Sequence, residues 1–330
     1  MKCLFRIIPI LIIVIFFTEF QSCSKILDPS KSGNLVMDTV VEDPYLPRIN
    51  VNGTILHAET FGNSNDPMVV VIHGGPGADY RSLLNAKVLA DDDFYVVFYD
   101  QRGAGLSKRH NSKIFNIQIY IDDLNAVIDF YKVNENQRIN LLGHSWGAMV
   151  ATAYVDQHPQ KVDGLILIEP GGFDWDTTLE YIERSREMKL FSENVNDYLY
   201  IDQFITSDDH AILDYKSNLA MSISFSKDNG VGNDGFYPFW RNGAIASVAT
   251  EGFAREHDFD LTQNLDQYSN KVLFIYSELN KAYGKKHAEF VSSPYPNIEI
   301  KEVKGTGHEV FYFGWENFYP ILLTYLNEIN

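Results

Sequence analysis

The sequence predicts an α/β fold, with a mostly parallel, doubly wound sheet and an inserted helical lid. Short, continuously apolar runs of strand length alternate with helical patterns along most of the chain. This alternation is typical of a parallel sheet that carries helices on both faces. It stops between residues 173 and 259 and then resumes, as expected when a helical segment is inserted. The 330 residues suffice for one large domain or two smaller ones.

We predict that residues 42–172 form the first part of the α/β core. Asn52-Gly53 lies between two β-rich runs and predicts a hairpin that opens the sheet. Asn116 is placed to cap a helix whose apolar positions share one face as far as Tyr131. The apolar runs predict four buried strands: Met68 to Ile72, Phe94 to Tyr99, Ile139 to Leu142 and Gly164 to Ile168.

Residues 173–259 predict the lid, because they contain no buried-strand pattern and many aromatic side chains. Two helical stretches within it are Thr177 to Leu190 and Asp208 to Ser222. The second part of the core, residues 260–330, restores the alternation. It predicts strands at Val272 to Tyr276 and Ile298 to Val303, and helices at Tyr283 to Val291 and from Trp315 to the end.

Residues 1–23 have the composition of a bacterial lipoprotein signal. A positively charged start precedes an apolar core, and Cys23 follows a short polar stretch. We expect lipidation at Cys23, with a plain cleaved signal or an uncleaved anchor as alternatives. Residues 24–41 would then form a tether, and the folded body would lie outside the cytoplasm, facing the periplasm or the cell surface. The chain has two cysteines, and Cys3 lies within the predicted signal, so no internal disulfide is expected.

The charge of the chain limits the classes of partner. Its formal net charge is −17, which argues against binding to nucleic acid or to anionic lipid surfaces through charge. A membrane is therefore expected as a partner only through the lipid anchor, and the oligomeric state is left open.

The turn around Ser145 is the strongest catalytic motif. Gly143-His144-Ser145-Trp146-Gly147 lies between a predicted strand and a predicted helix, the setting that a G-x-S-x-G nucleophile turn requires. The glycines two positions before and after the serine leave room for the strained backbone that exposes the hydroxyl. We therefore expect Ser145 to be a nucleophile, with the Trp146 backbone N–H directed at the oxyanion that its attack creates.

A second motif, His73-Gly74-Gly75-Pro76-Gly77, ends the strand that should lie beside this turn. Such a loop exposes backbone N–H groups near the substrate and would complete an oxyanion hole with the Trp146 N–H. A serine hydroxyl also needs a base within hydrogen-bonding distance. His308 lies in a glycine-flanked loop after the last predicted strand, where it can reach Ser145 at the sheet edge.

These two motifs, together with the segment Asp100 to Ser107, resemble the prolyl iminopeptidase branch of the α/β-hydrolase superfamily. The resemblance implies Ser145 as nucleophile, His308 as base, and Gly75 and Trp146 as oxyanion donors. It also implies hydrolysis of a small molecule or short peptide through an acyl-enzyme, without a metal or cofactor. Members of this branch hold the substrate's amino terminus with lid glutamates, for which this lid offers five candidates: Glu180, Glu183, Glu187, Glu193 and Glu251.

One position departs from the superfamily pattern. The acid of the triad usually follows the strand that ends here at Tyr276, but Asn280 stands in its place. An amide there can hold the imidazole in the wrong tautomer, and this change costs about 10⁴ in turnover in a Ser-His-Asp triad. We expect Glu169 to supply the carboxylate, because it lies at the carboxyl end of the strand that follows the nucleophile helix. Glu278 and Asn280 itself are the alternatives.

Three functions fit this pattern. The first is a prolyl iminopeptidase-like aminopeptidase, which needs a carboxylate for the substrate's ammonium group. The second is a carboxylesterase, which needs only an aromatic pocket. The third is a catalytically inactive binding protein, which Asn280 alone supports. We also expect Asp100 and Arg102 to form an ion pair that supports the loop at Gly75.

Overall fold

The centre of the protein is one sheet, in a computed structural model that describes residues 34–187, 208–224, 231–232 and 235–330. Within these residues the sheet has eight strands: β1 (Arg48–Val51), β2 (Thr54–Phe61), β3 (Met68–Ile72), β4 (Tyr95–Tyr99), β5 (Ile139–His144), β6 (Gly164–Ile168), β7 (Val272–Ser277) and β8 (Ile298–Val303). They lie in the order β1-β2-β4-β3-β5-β6-β7-β8. The predicted hairpin is confirmed, because β1 and β2 pair antiparallel across Asn52-Gly53. From β4 to β8 all neighbouring strands are parallel.

The helices of the described residues are α1 (Ile117–Tyr131), α2 (Trp146–Gln157), α3 (Trp175–Glu187), α4 (His210–Ser224), α5 (Ala244–His257), α6 (Gly284–Ser292), α7 (Val310–Phe313) and α8 (Trp315–Ile329), with 3₁₀ helices at Arg81–Asp92, Ser112–Ile114 and Leu265–Gln267. The predicted start of α1 is confirmed, since the Asn116 side chain accepts a hydrogen bond from the Ile119 N–H at 2.9 Å. Helix α5 was not predicted, because its small residues and Gly252 give a weak apolar face.

The sheet is covered on both faces, as the doubly wound prediction requires. In β3 the side chains of Met68, Val70 and Ile72 join one apolar cluster, to which α1, α2 and α6 contribute. Val69 and Val71 join the other cluster, to which the 3₁₀ helix Arg81–Asp92 and α8 contribute. All five side chains of β3 are buried. The continuous apolar run therefore arises because successive side chains face two separate cores.

The predicted lid corresponds to the stretch between β6 and β7, in which the described residues form α3, α4 and α5. A buried carboxylate joins this region to the core. Asp214 of α4 accepts hydrogen bonds from Arg109 at 2.8 Å and from Arg241 at 2.7 Å. Arg109 belongs to the loop after β4, and Arg241 lies just before α5. The Asp214 carboxylate therefore links α4 to both of these segments.

The predicted tether is shorter than expected. Thr39 and Val40 are buried, and the Val40 N–H donates to the Leu106 carbonyl at 2.8 Å. The folded body therefore already includes these residues, because Val40 is buried and its backbone is hydrogen-bonded to the loop after β4. The predicted signal and Cys23 lie outside the described residues. Among the described helices, none combines the length and the apolar character that crossing a bilayer requires.

Candidate active site

Ser145 lies between β5 and α2 with φ at 54° and ψ at −121°. This left-handed backbone is strained for a residue with a side chain, and its surroundings hold it in place. A Cβ at Gly147 would lie 2.1 Å from the Ile72 carbonyl oxygen, and one at Gly143 would lie 2.6 Å from the Ala148 Cα. Both glycines are therefore required by close packing, and the strand-turn-helix setting predicted for the G-x-S-x-G motif is present.

The loop His73 to Gly77 lies directly against the serine. A Cβ at Gly74 would approach the Ser145 Cβ to 3.1 Å, and Gly75 and Pro76 line both cavities that contain Ser145. Trp146 is the first residue of α2, so its N–H has no acceptor within the helix. The structure thus brings together the loop and the helix terminus that the sequence predicts as an oxyanion hole.

Gln101 connects these two parts. Its backbone N–H donates to His73 Nε2 at 2.9 Å, and its side-chain amide donates to the His73 carbonyl at 2.7 Å. Its side-chain oxygen accepts from the Trp146 indole at 3.0 Å. His73 Nδ1 therefore carries the proton, which it donates to the Gly74 carbonyl. Both ring nitrogens of His73 are used in shaping the loop.

His308 follows β8 and lines the same cavity as Ser145. Its backbone is anchored on two sides. The His308 N–H donates to the Val231 carbonyl at 2.9 Å, and the His308 carbonyl accepts from His144 Nε2 at 2.8 Å. Burial lowers the pKa of His144 to about 3, which keeps this imidazole neutral. His144 is therefore a support for the His308 loop.

Glu169 lies at the end of β6, fully buried, with φ at 45°. Its Oε2 accepts from His308 Nδ1 at 2.7 Å. Its Oε1 accepts from the Ser277 backbone N–H at 2.7 Å and from the Ser277 hydroxyl at 2.6 Å. These hydrogen bonds compensate for the loss of water around a buried charge. The structure thus brings Glu169 and His308 together.

Asn280 supports this carboxylate from the position that the superfamily gives to its acid. The Asn280 amide donates to Glu169 Oε2 at 2.8 Å and to the Tyr181 hydroxyl at 3.2 Å. The third candidate, Glu278, is partly exposed and accepts from the Gly305 N–H and from Lys304. The structure therefore pairs His308 with Glu169, and neither alternative acid forms a hydrogen bond to the imidazole among the described residues.

The charge of Glu169 affects the protonation of His308. Burial alone would lower the pKa of His308, but the hydrogen bond and the negative charge of Glu169 outweigh it and raise the pKa above its ordinary value. Such a histidine takes up a proton more readily, which a general base requires.

The expected ion pair between Asp100 and Arg102 is wrong. Arg102 pairs instead with Asp123 of α1 at 2.6 Å, and Asp100 pairs with His57 of β2 at 2.8 Å. Asp100 still supports the turn after the glycine loop, because it accepts the Tyr80 N–H at 3.1 Å. A helix supplies the partner of Arg102 and a neighbouring strand supplies the partner of Asp100, so proximity in sequence does not predict either ion pair.

Two cavities meet at Ser145. One, of about 300 Å³, is mainly apolar, and the side chains that give it this character are Trp146, Met149, Trp175, Ile182 and Phe259. The other, of about 270 Å³, is also lined by more apolar than polar surface but contains the buried carboxyl groups of Asp79 and Glu309, and we call it the acidic cavity. Sequence reasoning did not single out these two acids; the one available signal was that Glu309 directly follows the predicted base.

Among the lid glutamates whose side chains are described, only Glu251 lines a cavity that contains Ser145. Glu180 and Glu183 of α3 are exposed. Glu251 of α5 lines the apolar cavity and pairs with Arg255 at 2.9 Å. Glu193 and the side chain of Glu187 lie outside the described residues.

One cluster has the composition of a metal site. His144, His308 and Glu309 offer ligand atoms that lie within 4.8 Å of one another, the one such group found in the described part of the chain. Protein contacts account for it without an ion. His144 bonds to the His308 carbonyl and His308 to Glu169, while Glu309 has a hydrogen bond to Tyr237.

Several known proteins share part of this sequence. The profile of the family described as "Serine aminopeptidase, S33" matches residues 63–222. A proline iminopeptidase of Heyndrickxia coagulans is 34% identical over 124 residues, which cover 37% of this chain and 42% of that protein. An epoxide hydrolase B of Mycobacterium tuberculosis is 31% identical over 121 residues, 36% of this chain and 33% of that protein. The chain thus aligns with less than half the length of these relatives.

The fold agrees over a longer stretch. The crystal structure of a proline iminopeptidase from Mycobacterium smegmatis superposes with a TM-score of 0.59 at 16% identity, covering 86% of this chain and 97% of that one. At 16% identity this likeness shows a shared fold and nothing more specific. The chain has the α/β-hydrolase fold, and over about a third of its length its sequence resembles the proline iminopeptidases.

Proposed function

We propose that the protein is a serine hydrolase that acts through an acyl-enzyme. The observation that carries this proposal is the hydrogen bond of 2.7 Å between His308 and the buried Glu169, in a loop that shares a cavity with the strained Ser145. The bond orients the imidazole so that Nδ1 holds the proton and Nε2 is the base.

In the proposed reaction, Ser145 Oγ bonds to the substrate's carbonyl carbon while its proton passes to His308 Nε2. The carbonyl electrons move to oxygen, where the Gly75 and Trp146 N–H groups stabilise the negative charge. Return of these electrons expels the leaving group, which takes the proton from His308. Water then attacks the acyl-enzyme by the same sequence of proton transfers and releases Ser145.

For the substrate class we propose an N-terminal residue of a short peptide, as in a prolyl iminopeptidase-like aminopeptidase. The support is the match to the serine aminopeptidase family and to the Heyndrickxia coagulans proline iminopeptidase. Two cavities of similar size at Ser145 suit a scissile bond with one residue on each side.

Hydrolysis of small apolar esters is the second candidate. Trp146, Trp175 and Phe259 give one cavity an aromatic wall that could hold an acyl or alcohol group without any charged contact. The third candidate, an inactive binding protein, loses its support, because the imidazole has a carboxylate partner despite Asn280.

Release of chromophore from proline p-nitroanilide and from p-nitrophenyl butyrate tests these alternatives. The purified protein and a Ser145→Ala variant are assayed side by side. A kcat/KM for the anilide that is comparable to the value for the ester supports the aminopeptidase. Turnover of the ester alone supports the esterase. Turnover that survives in Ser145→Ala contradicts both.

We also propose that the protein is exported and lipidated at Cys23, on the grounds of the composition of residues 1–23. Incorporation of a labelled fatty acid that is abolished in Cys23→Ala is the expected result. Equal labelling of both proteins contradicts the proposal.

A further inference from the structure

The acidic cavity beside Ser145 contains two carboxyl groups and no permanently cationic group among its described lining residues. Its described lining includes the carboxyl groups of Asp79 and Glu309, and no lysine or arginine is among those lining residues. The remaining polar groups are neutral hydroxyls and amides, of Ser82, Ser217, Tyr237, Ser247 and Asn242, together with the imidazoles of His144 and His308. A cavity of this composition favours a cationic ligand over an anionic one.

Glu309 is close enough to the reacting groups to contact a substrate. It directly follows His308 and is 7% exposed, and its carboxylate lies within 4.8 Å of ligand atoms of His144 and His308. Its side chain has a hydrogen bond to Tyr237. Burial raises the pKa of Glu309 to about 7, although the charge of His308 acts in the opposite direction. A ligand cation would compensate for this burial by stabilising the ionised carboxylate.

Asp79 has a different task. Its Oδ1 accepts the Arg81 N–H at 3.0 Å, and its Oδ2 accepts the N–H groups of Trp240 at 2.6 Å and Arg241 at 3.0 Å. These bonds hold the segment between α4 and α5 against the glycine loop. Burial and the charge of Asp100 raise the pKa of Asp79 to about 7, and both of its oxygens are engaged by the backbone, so its task is to support the loop.

The distance from the reacting carbonyl selects among the acids. The nitrogen of an amino-terminal residue lies about 2.5 Å from its own carbonyl carbon, given standard bond lengths and angles. A carboxylate that binds this nitrogen must therefore share a wall with Ser145 and His308. Glu309 does so, whereas Glu180 and Glu183 are exposed and Glu251 is paired with Arg255.

We propose that Glu309 binds the terminal ammonium group of the substrate, in the acidic cavity, in place of a lid glutamate. This inference rests on the proposed aminopeptidase activity and names the residue that gives it specificity. It assigns the acidic cavity to the residue that is released and the apolar cavity to the remainder of the peptide.

Binding to a Ser145→Ala protein tests the assignment without turnover. The two probes are L-prolinamide, which is cationic, and tetrahydrofuran-2-carboxamide, in which a ring oxygen replaces the NH₂⁺ group. Calorimetry is expected to show tighter binding of L-prolinamide. Adding Glu309→Gln should weaken that binding on the order of tenfold or more, because it removes a charge-assisted hydrogen bond, and leave the neutral probe unchanged. Adding Glu251→Gln should change neither.

Several results would overturn the inference: equal loss of affinity for both probes, no loss, or a selective loss with Glu251→Gln. Unchanged binding of the neutral probe also shows that the Glu309→Gln protein is folded. Anilide turnover by the protein with Ser145 intact separates the two levels of proposal. If the anilide is hydrolysed and Glu309→Gln leaves its KM unchanged, only the inference fails. If esters but not anilides are hydrolysed and prolinamide does not bind, both the proposed aminopeptidase activity and the role of Glu309 are wrong.

Discussion

Two buried carboxyl groups lie close to His308, and they differ in their surroundings. Glu169 accepts hydrogen bonds from His308, from the Ser277 backbone and hydroxyl, and from Asn280. Glu309 lies in a cavity and has a hydrogen bond to Tyr237, and its pKa is raised to about 7 by burial. The first carboxylate accepts four hydrogen bonds from protein groups, whereas the second lines a cavity that also contains Ser145.

Burial next to the base is therefore compatible with two roles. A carboxylate that orients an imidazole must itself be held rigidly, and the hydrogen-bond donors around Glu169 hold it in this way. A carboxylate that recognises substrate must face the cavity in which substrate binds. Substitutions that remove one carboxylate at a time should therefore affect different kinetic constants.

Glu169→Gln should produce the largest effect. The amide would no longer stabilise the imidazolium that forms during attack, and we expect kcat to fall on the order of 10³ to 10⁴ on either chromogenic substrate. Glu278→Gln is the matched control, because Glu278 accepts from Gly305 and Lys304 and not from His308. A Glu169→Gln protein that keeps more than a tenth of wild-type turnover would show that Glu169 is not the acid of the triad.

Asn280→Asp should reduce activity rather than restore the superfamily's usual acid. A second carboxylate would replace the amide that donates to Glu169 at 2.8 Å, placing two like charges side by side. We expect kcat to fall roughly tenfold to a hundredfold, measured with p-nitrophenyl butyrate, and Asn280→Ala to fall less. Wild-type or higher activity of Asn280→Asp would mean that position 280 can hold the acid.

Glu309→Gln should separate the two substrates. Because the substrate's ammonium group would no longer meet a carboxylate, kcat/KM for proline p-nitroanilide should fall on the order of tenfold, chiefly through KM. Hydrolysis of p-nitrophenyl butyrate should change far less, since this ester carries no cation. A parallel decrease on both substrates would assign Glu309 to the chemical step and remove the contrast with Glu169.

Removing the Glu169 charge should also move the pH profile. Glu169 raises the pKa of His308, and the neutral imidazole is the form that accepts the serine proton. Without that charge His308 stays neutral to lower pH, so the acid limb of kcat/KM for the residual activity of Glu169→Gln should shift to lower pH. The same limb in Glu278→Gln should coincide with wild type. A shift to higher pH would contradict this direction.

Tyr237→Phe should have the smallest effect. It removes the hydroxyl that bonds to Glu309 but leaves the carboxylate in the cavity. We expect KM for the anilide to change by roughly threefold, because a single hydrogen bond contributes modestly. No measurable change in ester hydrolysis is expected, and a large decrease there would show that Tyr237 acts on the base instead.

Residues that follow local rules were predictable from sequence. Strands β3, β6 and β8 have the predicted bounds, because apolar runs or alternation set them directly. Ser145 and His308 could be singled out because glycine spacing and strand position determine where they lie. Glu169 could be proposed only as one of three candidates, since its choice depends on Ser277 and Asn280, which reach it from the end of the neighbouring strand β7.

Features that depend on distant contacts were not predictable. The partner of Arg102 comes from α1, and the partner of Asp100 comes from β2. Glu309 is placed in its cavity partly by Tyr237, more than seventy residues before it in the chain. None of these three pairings has a sequence spacing that would reveal it, because tertiary packing alone brings these groups together.

The rate at which a fluorophosphonate labels Ser145 is the decisive test of the triad. This reaction needs an activated serine but no particular substrate, so it is independent of the peptide and ester alternatives. We expect a single adduct, located at Ser145 by mass spectrometry, that forms on the order of a hundredfold or more slowly in Glu169→Gln and at the wild-type rate in Glu278→Gln. An adduct at another residue, or equal rates in wild type and Glu169→Gln, would contradict the triad of Ser145, His308 and Glu169.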